Sequence, residues 1–182
     1  ETDKTLSLYC RDYYNREFVP EHANLEHLIR YGCFMHVGSI MIRNHEDLLK
    51  TTDKENKIIL DHPWLVLNVI YGKGSIDFLD KTLGRYRIHA QSFGGQTRQS
   101  PQRRIQVLNE QLHVCDLAKQ HGIKSEIIQA GERHYQYATA LYFLKIKEDA
   151  LFIKYIEKST NNNWFLNERH KRIVFNRNEP DK

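Results

Sequence analysis

Apolar residues along this chain change period several times, and the changes separate extended segments from helical ones. Residues 5–10 set Leu6, Leu8 and Cys10 against Ser7 and Tyr9, the two-residue period of a half-buried strand. From Pro20 the period lengthens: Leu25, Leu28 and Ile29 share one helical face, acids occupy the first turn and Gly32 supplies the stop, so a helix is expected. Residues 34–42 return to a strand pattern through Met35, Val37 and the run from Ile40 to Ile42. Asn44 caps a short helix over 45–50, and 57–60 form a short strand.

The middle of the chain is the most regular part. Residues 64–71 form a nearly continuous apolar run of strand length, which predicts a strand covered on both faces and central to a sheet. Gly72-Lys73-Gly74-Ser75 follows, and Ser75 reads as the N-cap of a helix over 76–83 that ends at Gly84. Residues 85–93 alternate as a strand. Pro101 then opens the clearest helix in the chain, with Ile105, Leu108, Leu112 and Cys115 on its buried side and Gly122 at its end. Residues 123–130 read as the next strand, 134–146 fit either a helix or a strand, and 150–156 alternate. A turn at 159–163 precedes an edge hairpin pairing 164–167 with 172–176.

Strand and helix alternating through the middle of the chain predict an α/β fold: a mixed, largely parallel sheet with helices on both faces, plus a C-terminal antiparallel hairpin. No repeat or linker divides the sequence. Residues 1–176 are therefore expected to form a single α/β domain and 177–182 a frayed tail.

Charge adds direction to this pattern. Between Asp80 and Glu110 there is no acidic residue, while Lys81, Arg85, Arg87, Arg98, Arg103 and Arg104 surround a polar loop. The whole chain has 27 Lys and Arg against 23 Asp and Glu, a net of +4, so this one window holds more positive charge than the protein as a whole. Guanidinium groups bind phosphate or carboxylate bidentately, so concentrated arginine suits an anionic partner. On the expected fold, Gly72, Lys73, Gly74 and Ser75 sit at the carboxyl end of a central strand and the N-terminus of a helix, where backbone amides cradle phosphate. Arg98, Arg103 and Arg104 follow a neighbouring strand and would face them across a basic cleft. The alternatives are an ordinary turn at Gly72 and a solvated helix face at the arginines. Gly94-Gly95-Gln96 repeats the tripeptide of peptide release factors, but its flanks do not continue that pattern and it reads as a loop tip.

Of the ten histidines, His89 lies on the strand before the basic loop and is the candidate general acid or base for phosphodiester chemistry. No HxxxH, HxH or HExxH spacing occurs, and Cys10, Cys33 and Cys115 complete no ligand set, so no metal and no cofactor is expected. Cys33 with His36 is not a nucleophile pair if both lie on a strand, because residues three apart point to opposite faces. Glu168-Arg169-His170-Lys171-Arg172 forms a second basic cluster, read as a solvated hairpin.

Three cysteines make no disulfide framework, no apolar run reaches membrane-spanning length and no signal peptide is visible, so an intracellular, reducing compartment and no membrane are expected. The first residue, Glu1, suggests an excised domain or a processed product. The leading expectation is binding of a phosphate-bearing partner, nucleic acid first among them, through the basic cleft. A second is an enzyme acting on a nucleotide or phosphodiester with His89 as acid or base. A third is a non-catalytic subunit or interaction domain with a protein partner in a larger assembly.

Overall fold

The structure, a computed structural model, describes residues 22–33, 37–48, 60–77, 91–92, 100–161 and 164–178. Of these residues, 68% are helical and 3% extended, which overturns the expected parallel sheet with helices on both faces. The chain divides into two compact units, Glu1–Arg87 and Ile88–Lys182. No helix among the described residues is long and apolar enough to cross a membrane.

In the first unit, α1 spans Leu25–Tyr31. Asn24 caps it in a reciprocal box: the Asn24 side chain accepts the His27 amide proton at 3.3 Å, and His27 Nδ1 accepts the Asn24 amide proton at 3.2 Å. Gly32 ends it at φ 79°, donating its amide to the Leu28 carbonyl, as its position in the sequence indicated. α2 spans Asp61–Gly72 and contains the whole run read as a central strand. A short, nearly continuous apolar run has no period, so it fits a buried helix as well as a buried strand. Pro63 stands in the first turn, where no intrahelical acceptor waits for its missing N–H, and Leu65 and Val66 are buried.

Asn68, which interrupts the run, is the polar anchor of α2. Its Nδ2 donates to the Trp64 carbonyl one turn back at 2.8 Å, and its Oδ1 accepts from His45 Nε2 at 3.2 Å. His62 Nε2 donates to the Leu28 carbonyl at 2.9 Å and ties α2 to α1. Two extended pieces, β1 at His22–Ala23 and β2 at Ile76–Asp77, pair antiparallel with His22 opposite Asp77 and Ala23 opposite Ile76. Ile76 and Asp77 are therefore not the start of a helix capped by Ser75. Val37–Ser39 is a single 3-10 turn and residues 40–45 are irregular, so the described part of the expected 34–42 strand pairs into no sheet. One turn, closed by the Leu48 amide on the His45 carbonyl, stands where a helix from His45 was expected.

The second unit is helical throughout its described length, apart from its turns. α3 spans Pro101–Gln120. Ser100 Oγ accepts the Arg103 amide at 3.3 Å, Pro101 takes the first helical position, and Gly122 at φ 75° lies just past the end. α4 spans Ser125–Lys145 and replaces the expected strand at 123–130. α5 spans Asp149–Lys158, where Phe152, Tyr155 and Ile156 recur at the helical spacing i, i+3, i+4 and are all buried. α6 spans Glu168–Phe175 and replaces the second arm of the expected C-terminal hairpin. The connections at 121–124 and 146–148 are short, so α3 packs on α4 and α4 on α5 as sequential neighbours.

Val107, Leu108, Val114, Cys115 and Ala118 of α3 meet Ile128, Tyr135, Ala140 and Phe143 of α4 in the core. Phe143 is fully buried and stacks on Tyr155 of α5 at 5.4 Å between ring centroids with 12° between planes. Replacing Phe143 by Ala removes this contact and leaves a cavity between two helices. The expected loss is about 3 to 5 kcal/mol of unfolding free energy, measured by urea titration followed by far-ultraviolet circular dichroism.

Candidate functional site

Gly72, Lys73, Gly74 and Ser75 lie at the C-terminal end of α2, not at the N-terminus of a helix. Lys73 caps that end at φ 50°, and its amide reaches the Ile70 carbonyl at 3.4 Å. The exposed groups at a helix C-terminus are carbonyls with partial negative charge, so the physical basis for an anion cradle is absent there. One side of Gly72 also faces the His45 imidazole: a Cβ at Gly72 would stand 3.4 Å from its Cδ2. His89 and Arg98 lie outside the described residues. Gly72 to Ser75 belong to the first unit, and Arg103 and Arg104 to the second.

Arg103 and Arg104 occupy the first turn of α3, and both are half-buried. Arg104 points inward: its Nη2 donates to Thr139 Oγ1 at 3.0 Å, and Thr139 is fully buried on α4. Its charge is felt by His134 and by Tyr142. Arg104 is thus an interior cation of the helical unit. Its sequence position held the clue, because residue 104 is four before the buried Leu108 and shares its face.

The concentration of polar groups inside this unit centres on His170, which is fully buried on α6. Asn167 Oδ1 caps α6 by accepting the His170 amide at 2.8 Å. The Leu166 amide donates to His170 Nδ1 at 3.1 Å, so that nitrogen carries no proton. Nε2 therefore carries it and donates to Ser159 Oγ at 2.8 Å, while the Ser159 hydroxyl donates to the Ile156 carbonyl at 2.6 Å. Tyr137 of α4 packs on the imidazole at 4.2 Å between centroids, and Trp164 and Phe165 meet it edge-on at 6.2 and 5.9 Å.

A serine and a histidine this close resemble a nucleophile with its base, but the proton is on the wrong atom. Nε2 is already protonated and cannot take the Ser159 proton, which is itself committed to a carbonyl. Both side chains are also fully buried. The pair is a structural link between α5 and α6. Asn167, followed by His170, Ile173 and Val174, is the helix-start signature that would have revealed this arrangement from the sequence.

Burial sets the ionisation of the interior. It pushes His170 down to about 4, and it pushes His134 down to about 4 with the help of the Arg104 and His170 charges. In the first unit His62 is likewise lowered to about 4 by burial, against its bond to the Leu28 carbonyl. The Cys115 thiol is pushed up to about 12 by burial, then by Glu132 and Asp116, and is not a nucleophile at neutral pH. The Tyr137 and Tyr142 hydroxyls are raised by burial. The charges that oppose this are Arg169 and Arg172 for Tyr137 and Arg104 for Tyr142. No cluster of three or more His, Cys, Asp or Glu suited to a metal ion occurs among the described residues.

The sequence of the same unit is basic. Residues 88–182 contain 15 Lys and Arg against 10 Asp and Glu, a net of +5, whereas residues 1–87 contain 12 against 13, a net of −1. Arg169, Lys171 and Arg172 are exposed on α6. Lys171 approaches Glu168 at 4.0 Å, Arg177 pairs with Glu157 at 3.4 Å, and the Arg133 guanidinium lies 5.1 Å from the Trp164 ring centroid. Among the described residues no carboxylate pairs with Arg169 or Arg172.

The neutral interior makes stability depend on pH. His134 and His170 have folded values of about 4, below their ordinary 6.5, so between those values the unfolded chain holds more protons than the folded one. Their stabilisation is complete above about pH 6.5 and is lost as pH falls toward 4. Urea midpoints measured at stepped pH are expected to fall through this window, and His134→Gln to remove about one proton from the dependence. A midpoint constant from pH 7 to 4 would contradict the assignment. Comparison of the chain with protein-family models, with curated proteins and with solved structures finds no match.

Proposed function

We propose that this protein binds a phosphate-bearing partner, with nucleic acid the leading candidate, through the basic surface of its C-terminal helical unit. The observation that carries this reading is the pair Arg169 and Arg172. They are three residues apart on α6, exposed, and unpaired with any carboxylate among the described residues. Residues at i and i+3 are neighbours on a helix surface, so the two guanidinium groups present adjacent forks to one anion or to successive phosphates. The net charge of +5 in this half of the sequence supports the same reading, because a field of one sign attracts polyanions from a distance.

This differs from the cleft expected from sequence. Arg104 holds Thr139 inside the unit, and Gly72 to Ser75 stand at a helix C-terminus. Phosphate contact is therefore assigned to Arg169 and Arg172, with Arg103 at the head of α3 as a further cation.

Binding of a labelled single-stranded oligonucleotide, followed by fluorescence anisotropy, is expected to weaken steeply between about 50 and 200 mM salt. The double change Arg169→Ala, Arg172→Ala is expected to weaken binding and to reduce the salt slope by about 1.4, the share of two phosphate contacts on a single strand. Binding insensitive to salt, or a slope unchanged in the double variant with its helical signal intact, rejects the proposal.

A further inference from the structure

The last turn of α6 carries a feature that phosphate contact alone does not use. Phe175 is 65% exposed, one of only two large apolar side chains so placed among the described residues. Lys171 and Arg172 lie four and three residues before it, and both are exposed, so the ring sits one turn from two cations on the outer side of the helix. The ring is backed by a second one: Phe165 lies 5.7 Å away between centroids with 42° between planes. Phe165 in turn meets the buried His170 imidazole at 5.9 Å, which connects the exposed ring to the fixed interior of the unit. The other apolar residues of α6 do not extend this surface, since Val174 is buried and Ile173 half-buried.

We propose that Phe175 is a stacking platform for an unpaired base of single-stranded nucleic acid, with Lys171 and Arg172 holding the phosphates beside that base. The inference rests on the phosphate-binding reading above and narrows it to a class of ligand. A planar ring flanked by cations fits a chain of bases and phosphates, because every base has a face to stack and every linkage a charge to neutralise. A protein partner of ordinary affinity requires a buried interface of about 1,200 Å² or more with an apolar centre, and one ring among charges does not supply it. A lipid surface requires a broad apolar helix face, whereas on α6 Val174 is buried and Ile173 half-buried, which leaves Phe175 as its exposed apolar side chain. The Lys171 and Glu168 contact at 4.0 Å is between exposed groups, so a phosphate displaces it at little cost.

Three probes are compared on the full chain: a labelled single-stranded thymidine oligonucleotide, inorganic polyphosphate of matched charge, and phosphatidylserine vesicles. Phe175→Ala is expected to lower affinity for the oligonucleotide about tenfold and to leave its salt slope and the polyphosphate affinity unchanged. Phe175→Trp is expected to keep or raise oligonucleotide affinity, and Arg172→Ala to reduce the salt slope by about 0.7. If the oligonucleotide and polyphosphate bind but Phe175→Ala alters neither, or alters both equally, the stacking role is overturned and phosphate binding stands. If neither polyanion binds, both proposals fall. Binding to the vesicles with none to the oligonucleotide also overturns both the stacking platform and the choice of nucleic acid. Because Phe175 is exposed at a helix end, far-ultraviolet circular dichroism of the variants is expected to match the parent.

Discussion

The helical unit depends on one imidazole whose two nitrogens are both committed. His170 accepts a hydrogen bond from the Leu166 amide and donates one to Ser159, whose hydroxyl donates in turn to the Ile156 carbonyl. This single relay ties the end of α5, the loop before α6 and the first turn of α6 together. Tyr137 adds α4 by packing against the same ring. A buried polar group stabilises only when its partners are present, and here both nitrogens have one, so the ring specifies how α6 closes on the unit. The same closure sets Arg169 and Arg172 outward and leaves Phe175 exposed at the end of the helix.

Local signals in the sequence were legible where capping chemistry accompanied periodicity. Pro101 before a long apolar stripe, with Gly122 after it, located α3 closely, and Gly32 located the end of α1. The misread segments share a different property. Residues 64–71 are too dense in apolar side chains to show a period, and residues 123–130 and 150–156 are too short for theirs to separate a strand from two turns of helix. The decision came from long-range packing: His62 of α2 bonded to the Leu28 carbonyl of α1, and Phe143 of α4 stacked on Tyr155 of α5. Neither is visible in a window of eight residues.

The candidate site was legible only as charge. Counting placed positive residues between Asp80 and Glu110, but counting does not say which arginine faces in. Arg104 and Arg172 have the same formal charge and different roles, since one bonds Thr139 in the interior and the other stands on the surface. The error at Gly72 to Ser75 follows from the fold: the same glycines, moved from the start of a helix to the end of one, meet a field of opposite sign. A loop cannot be read as an anion site before the direction of its neighbouring helix is known.

The buried pair His134 and His170 also governs how the native protein takes up acid. Each proton added to one imidazole raises the cost of the next, because the two charges repel and Arg104 already contributes a third. The folded state therefore resists the second proton more than the first, while an opened chain accepts both independently. Proton uptake and loss of structure are thus linked: between about pH 6.5 and 4, opening the chain lets both imidazoles take up the protons that the folded interior keeps off them.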